Sequence, residues 1–359
     1  MHGTISSAQK PRNILTSAQL PKYTSIAMLV ASMAVAFGVL ALFESATGLM
    51  GVLLGSLIYL VSNYALSASV EGPRKAKDRL ALNIVTAFFI LALFPLVSVI
   101  WGTLSKGIAR FDGEFFGSSM RNIVGEGGGA VHAIWGTLII TGLATLISVP
   151  IGILTAIFLV EYGGSGKAAT LARLIRFLVD VMTGIPSIVA GLFAYTIFSI
   201  LMGPGTNNGL SGASALSVLM IPTVVRSTEE MLRLVPNELR EASYALGVPK
   251  YRTIWKIVLP TSIAGIVTGV VLGIARVIGE TAPLLVTAGI TASMNLNPLA
   301  NPMATLPVFV YYEYTTPGAD PTPYIDRAWS GALTLIIIVM GLNLIGRLIA
   351  WKFAPKAGR

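Results

Sequence analysis

Arg276 and Glu280 stand four residues apart in the string IARVIGETAPLL, residues 274–285, within an otherwise apolar stretch. On a helix this spacing puts a guanidinium and a carboxylate on one face, within pairing reach. Two readings follow: an internal ion pair that fixes helix packing, or a lining for an anion path. Arginine offers a planar fork of donors that suits an oxyanion. Thr281 adds a hydroxyl. Arg226, at the end of an earlier apolar run, is either a basic anchor or part of the same path, and Asp180 lies near the start of another run. A carboxylate repels a dianion, so Glu280 needs a reason. It can accept a hydrogen bond from a protonated oxyanion, which phosphate is near neutral pH and sulfate is not. Other chemistry is thinly represented. Cysteine is absent, and His2 and His132 are the only histidines. That excludes disulfides and thiolate catalysis and leaves no clustered metal ligands. His132 reads as an interfacial residue. No nucleophile–base arrangement is legible.

The elements that must hold these residues are membrane spans. The chain of 359 residues is 54% hydrophobic and only 11% charged, with a mean hydropathy of +0.77. A soluble domain carries about 25% charged residues, and a span needs about 20 mostly apolar ones. Eight runs qualify: 25–43, 49–66, 80–104, 132–160, 177–202, 210–225, 257–281 and 328–350. Pro222 is expected to interrupt the sixth, and Pro283 to end the seventh. No small-x-small site follows a short apolar core, so a cleaved signal is not expected. The fold class is all-α and polytopic. Eight crossings put both termini on one side. Only Lys106, Arg110, Arg121 and Arg327 fall on the other side, with Arg276 inside a span, leaving 20 of the 25 Lys and Arg on the termini's side. The positive-inside rule makes that side cytoplasmic. The net charge of +9 is thereby membrane topology, and nucleic acid is set aside. Trp101, Trp135, Trp329 and Trp351 near span ends, with Trp255, read as anchors or packing residues, and Glu161 and Tyr162 as interfacial. Gly142, Gly152, Gly184 and Gly191 read as packing sites, as do Gly273 and Gly279. The loops 105–131 and 291–327 face outward, either as plain connections or as a rim for a soluble partner.

Residues 227–260, STEEMLRLVPNELREASYALGVPKYRTIWKIVLP, are too polar to cross and too patterned to be slack. Ser227 and Thr228 before Glu229 and Glu230 suggest a helix start, Pro236 a break, and Asn237 a cap for a second helix. Leu239, Ala242, Leu246 and Val248 give that helix an apolar side. Gly247 supplies a left-handed end, and Pro249 stops continuation. A short amphipathic helix lying on the inner membrane surface results.

This hairpin resembles the coupling motif of binding-protein-dependent ABC importer permeases. Their pattern is Glu-Ala-Ala, three residues, Gly, nine residues, then Ile-x-Leu-Pro. Here it reads Glu241, Ala242, Ser243, then Gly247, then Ile257, Leu259 and Pro260, with Ser243 the single departure. In such an element a soluble motor seats the short helix and moves spans six and seven as levers. Glu241 would pair with a basic group or cap the helix. No Gly-x-x-x-x-Gly-Lys-Ser/Thr loop is present, since GGSGK at 163–167 lacks the spacing. ATP and Mg are therefore expected in a partner ATPase, with no cofactor in this chain.

ARVIGETAPLL at 275–285, VVRSTEE at 224–230, GIPSIVAGLFAY at 184–195 and LVPNELREASYALG from 234 together resemble the phosphate-specific ABC permeases, the A subunit (PstA) more than its C partner. The resemblance covers roughly residues 80–350. It implies a type I importer permease core of six spans, to which the chain adds two N-terminal spans. It also implies that Arg226, Arg276 and Glu280 serve phosphate passage. The implied partners are a second, PstC-like permease, a PstB-like ATPase dimer and an extracytoplasmic PstS-like phosphate-binding protein, in the bacterial cytoplasmic membrane. The expected organisation is a cytoplasmic tail 1–24, an extra two-span hairpin 25–69, a basic linker 70–79, a permease domain 80–350 containing the hairpin 227–260, and a cytoplasmic tail 351–359. A permease for another oxyanion, molybdate or sulfate, is the alternative within the class. An ion-coupled secondary transporter or a structural membrane subunit lies outside it, and no inverted repeat supports the former.

Overall fold

The computed structural model describes residues 20–21, 23–42 and 48–353. The expected tail 1–24 lies almost wholly outside the described residues, as do the turn at 43–47, His2 and the tail beyond 353. All regular structure among the described residues is helical. The contacts cluster into two compact units, residues 1–100 and 101–359.

The first unit holds α1 (Thr24–Leu42), α2 (Gly48–Val70) and most of α3 (Pro73–Gly107). α1 and α2 pack where small residues let side chains in: Gly51 lies against the Phe37 ring and Gly55 against Met33. Glu71 binds the α2–α3 turn together. Its carboxylate accepts from the Leu20 N–H at 3.0 Å, the Ser67 hydroxyl at 2.9 Å and Arg79 at 2.7 Å. Burial alone would raise its pKa, but these donors outweigh burial and hold it below the usual carboxylate range. Gly72 takes φ +93° and Pro73 follows, one glycine closing a helix and one proline opening the next. The basic stretch expected as a linker is thus helical from Pro73 onward.

The second unit begins with α4 (Gly113–Gly117) and α5 (Val131–Ile157), which runs on through a π-helical turn, Phe158–Tyr162. α6 (Gly166–Gly184) and α7 (Ser187–Met202) meet at a bend of 108°. The expected straight fifth span is therefore a broken pair. Pro186 forces the break: it pushes Ile185 out of the helical region, to ψ 127°, and lacks the N–H that would continue the ladder. α8 (Gly209–Arg233) shows the opposite outcome, because it runs unbroken through Pro222. Ser227 and Thr228, expected to start a helix, lie inside it. Within a bundle, neighbouring groups satisfy the carbonyl a proline frees.

α9 (Asn237–Ala245) and α10 (Lys250–Thr253) form the hairpin, and a second π turn, Ile254–Val258, leads into α11 (Leu259–Val277). α12 (Ala282–Thr287) and α13 (Leu306–Thr315) precede α14 (Thr322–Phe353). The segment 291–327, read either as a plain connection or as a rim, contains α13 and the start of α14. Seven helical rods among the described residues are long and apolar enough to cross a membrane, and the bent pair makes eight if it counts as one span.

α8 is the axis of this unit. Its small residues Gly209, Ser211, Gly212, Ala213 and Ala215 are buried, and Ala213, Leu216 and Met220 share one core with Ile140, Ala144, Leu284 and Ala288. Gly152 meets Val224 and Gly191 meets Pro283 at 2.6–2.7 Å from an added Cβ, whereas Gly142, Gly184 and Gly279 face open space. His132 is not interfacial. It is 3% exposed and packs edge-on against Phe309. The Thr137 hydroxyl accepts from the Leu306 N–H at 2.7 Å, tying α5 to α13.

A Cβ on Gly136 would overlap the carbonyl oxygen of Ala304, which is backbone and cannot rotate away. Gly136→Ala should lower the thermal midpoint in detergent, with a loss of roughly 1–3 kcal/mol. Gly142→Ala, which meets nothing within 4 Å, should leave the midpoint unchanged.

Candidate functional site

α6, α8 and α11 bring four polar side chains to one exposed face. Arg226 of α8 forms an ion pair with Asp180 of α6. Thr223, one turn before Arg226, accepts a hydrogen bond from Arg276 Nη1 at 3.3 Å. Two contacts, Asp180–Arg226 and Thr223–Arg276, therefore lie one turn of α8 apart and involve three helices. The Arg226 and Asp180 side chains are 51% and 55% exposed, although the helices that carry them are span elements. Arg276 occupies the last turn of α11, where a cation complements the helix dipole.

Of the two readings of this string, the ion pair between Arg276 and Glu280 does not form. α11 ends at Val277, and the Glu280 N–H bonds the Val277 carbonyl at 3.1 Å. This tighter turn breaks the four-residue spacing on which the pairing rested. Among the described residues Glu280 has no ion-pair partner and is half-buried. Thr281 precedes α12 and makes no side-chain cap. The structure thus places the acceptor of Arg276, Thr223, one turn of α8 before Arg226. Asp180, singled out only as a charge near a span, proves to be the partner of Arg226.

The hairpin has an outer and an inner side. Glu241, Ala242, Tyr244 and Leu246 are exposed, whereas Ser243 is buried. The Ser243 and Thr253 hydroxyls lie 2.8 Å apart and fasten α9 to α10. An alanine at this position could not do so. Gly247 takes φ +72°, the left-handed end its position suggested. The expected cap by Asn237 is absent. α9 follows Pro236 with no side-chain cap, and Asn237 Oδ1 instead accepts from Arg240 at 3.3 Å. Glu241 neither caps nor pairs among the described residues.

Arg240 was not visible as a functional residue, and Glu161 was expected at the interface. The Glu161 and Arg240 side chains are 4% and 12% exposed, with Nη2 and Oε1 2.8 Å apart. Arg240 also donates to the Leu232 and Val235 carbonyls at 2.9 and 2.7 Å, closing the end of α8. Removing one partner of such a buried pair costs about 3–5 kcal/mol. A second clamp lies beside it: Glu229 accepts from Arg176 of α6 at 3.1 Å and from Arg233 at 2.6 Å.

At the opposite end of α5, Arg327 is fully buried. It pairs with Glu313 at 2.7 Å and donates to the Gly125 and Gly127 carbonyls at 2.6 and 3.1 Å. Burial pushes the Glu313 carboxyl above the usual carboxylate range despite Arg327. A cavity of about 630 Å³ opens beside it, lined by Arg110, Glu114, Glu126, Asp320 and Asp326 among others. The glycine-rich stretch is thus a built polar cap. Its signal was an arginine and a glutamate within an outer segment, without any spacing to join them.

Residues 148–359 match the family described as binding-protein-dependent transport system inner membrane component. The chain is 44% identical over 279 residues to phosphate transport system permease protein PstA 1 of Mycobacterium tuberculosis, covering 77% of this chain and 89% of that protein. It is 40% identical over 283 residues to PstA of Yersinia pestis, covering 79% and 92%. Among solved structures it is similar to a chain of a bacterial alginate ABC transporter in complex with an alginate pentasaccharide-bound periplasmic protein. That match has a TM-score of 0.56 at 13% identity and covers 78% of this chain and 96% of the other; at that identity it speaks for the fold. The chain belongs to the binding-protein-dependent transport system inner membrane component family and, within it, to the PstA-type permeases.

Proposed function

We propose that this chain is one of two permeases that together enclose a phosphate path in the bacterial cytoplasmic membrane. The carrying observation is the face that bears the Asp180–Arg226 pair and, one turn of α8 away, the Thr223–Arg276 contact. Ionised groups on span helices do not face lipid. A second, PstC-like permease covers this face and leaves a wet path between the two chains. Arg276 and Arg226 supply donors for the oxyanion, Thr281 lies at the far end, and Glu280 accepts the proton of hydrogen phosphate. The names of the curated relatives support phosphate as the cargo.

The hairpin receives a PstB-like ATPase on its exposed side, through Glu241, Ala242 and the turn at Gly247. Ser243 supports the helix from beneath. ATP and Mg belong to that partner. An extracytoplasmic PstS-like protein delivers phosphate at the other end. The bias of basic residues toward one side supports cytoplasmic termini, an inward hairpin and the domain layout given above, with the added pair 25–69 as a separate element.

Arg276→Ala should cut ATP-driven phosphate uptake at least about tenfold, the loss of one charge-assisted hydrogen bond, at unchanged membrane abundance. Arsenate, a protonated oxyanion, should compete with uptake, whereas sulfate should not. Glu280→Gln should weaken that discrimination. Uptake inhibited equally by sulfate and arsenate in the native complex would favour the broader oxyanion reading.

Leu246→Asp and Glu241→Lys should reduce co-purification of the ATPase without lowering the abundance of this chain. Ser243→Ala should retain the ATPase and lower thermal stability by about 1 kcal/mol, one hydrogen bond's worth.

A further inference from the structure

The π turn Phe158–Tyr162 at the foot of α5 receives basic side chains from three other elements. Arg176 of α6 donates to the Leu159 carbonyl at 2.9 Å. Lys250 of α10 donates to the Glu161 carbonyl, and its ammonium lies 4.9 Å from the Tyr162 ring centre. Arg240 of α9 places Nε and Nη2 on one oxygen of the Glu161 carboxylate, at 3.0 and 2.8 Å. The same guanidinium holds the carbonyls of Leu232, in the last turn of α8, and of Val235 just beyond it. Around it, Ala156, Ile157, Leu232, Val235, Ile254 and Val258 form a closed apolar cluster. A widened turn of this kind interrupts the regular ladder and frees carbonyls for other partners.

Resting on the transport reading above, we propose that Glu161 is a positioning residue that makes the foot of span four part of the coupling block. A push on α9 then reaches α5 directly, as well as α8 and α11. Two π turns, one at the foot of each of α5 and α11, flank this block. Cutting the Glu161 carboxylate leaves α9 fastened to α8 through the carbonyl bonds of Arg240 and to α10 through Ser243 and Thr253. The ATPase therefore still docks and still hydrolyses ATP. What is weakened is the grip of α9 on span four, which keeps only the Lys250 bond to the Glu161 carbonyl and the apolar cluster, so that part of the hydrolysis runs without transport.

The test uses the complete transporter in liposomes and reads phosphate moved per ATP hydrolysed. Glu161→Ala should keep the ATPase bound and active while the ratio falls about tenfold, a usual size for a coupling between sites. Glu161→Gln retains an acceptor oxygen and should fall between Glu161→Ala and the native protein, and it decides the matter if the alanine form does not assemble. Glu230→Ala removes an exposed carboxylate nearby and should match the native ratio. A native ratio in both Glu161 variants overturns the proposal. A second reading does not depend on the cargo. The chain has no cysteine, so Ser165→Cys and Glu238→Cys can carry spin labels on the two sides of the pair. Their separation should stay fixed when ATP binds, and should become ATP-dependent in Glu161→Ala. A separation that already changes in the native background overturns the rigid block, whether or not the cargo is phosphate. Native complexes that hydrolyse ATP but move no phosphate would instead overturn the transport reading.

Discussion

An ion taken out of water must find a partner, and this constraint organises the second unit. Leaving one partner of a buried pair unpaired costs about 3–5 kcal/mol. The deeply buried arginine obeys by pairing: Arg327 sits on Glu313. Arg240 sits on Glu161, and Arg176 on Glu229. Each pair also draws in backbone carbonyls or a further side chain, so the ions close the ends of helices as well as neutralising one another. Against this background the exposed pair Asp180–Arg226 and the neighbouring Arg276 are the exception. They are placed as groups are when the remaining wall of the site belongs to another chain.

The same constraint explains which features could be read from the sequence. The spans were legible because length and apolarity alone define them. The hairpin was legible because Pro236, Gly247 and Pro249 punctuate a polar stretch, and Gly247 does adopt the left-handed turn. Pro222 looks like a break but, as Pro95 and Pro150 do, lies within a continuous helix, whereas Pro186 marks a bend of 108°. Local sequence does not say which proline will have neighbours to satisfy the freed carbonyl. The site residues divide in the same manner. Arg226 and Arg276 were visible as charges in apolar surroundings. The contact of Arg276 with Thr223, one turn from Arg226, was not, because it depends on how α8 packs on α11. Glu161 and Arg240 are 79 residues apart, and only the folded hairpin brings them together.

The departure of Ser243 from the coupling pattern has a local account. The residue points inward, and its hydroxyl meets that of Thr253 at 2.8 Å. A small side chain satisfies the packing requirement, and the hydroxyl adds a tie between two short helices that have few other contacts of their own. The exposed residues beside it, Glu241, Ala242 and Leu246, keep the outer surface available. One short helix thus has two distinct faces, one attached to this chain beneath and one exposed above.

The central claim is that the face bearing Asp180, Arg226, Thr223 and Arg276 lines a water-filled phosphate path. Because cysteine is absent from the chain, Thr223→Cys introduces a single thiol at its centre. In the assembled transporter, a charged, water-soluble thiol reagent should modify that cysteine and block uptake, and saturating phosphate should slow the modification. A cysteine that the reagent cannot reach in any stage of the transport cycle, or that it modifies at the same rate with and without phosphate, would contradict the account.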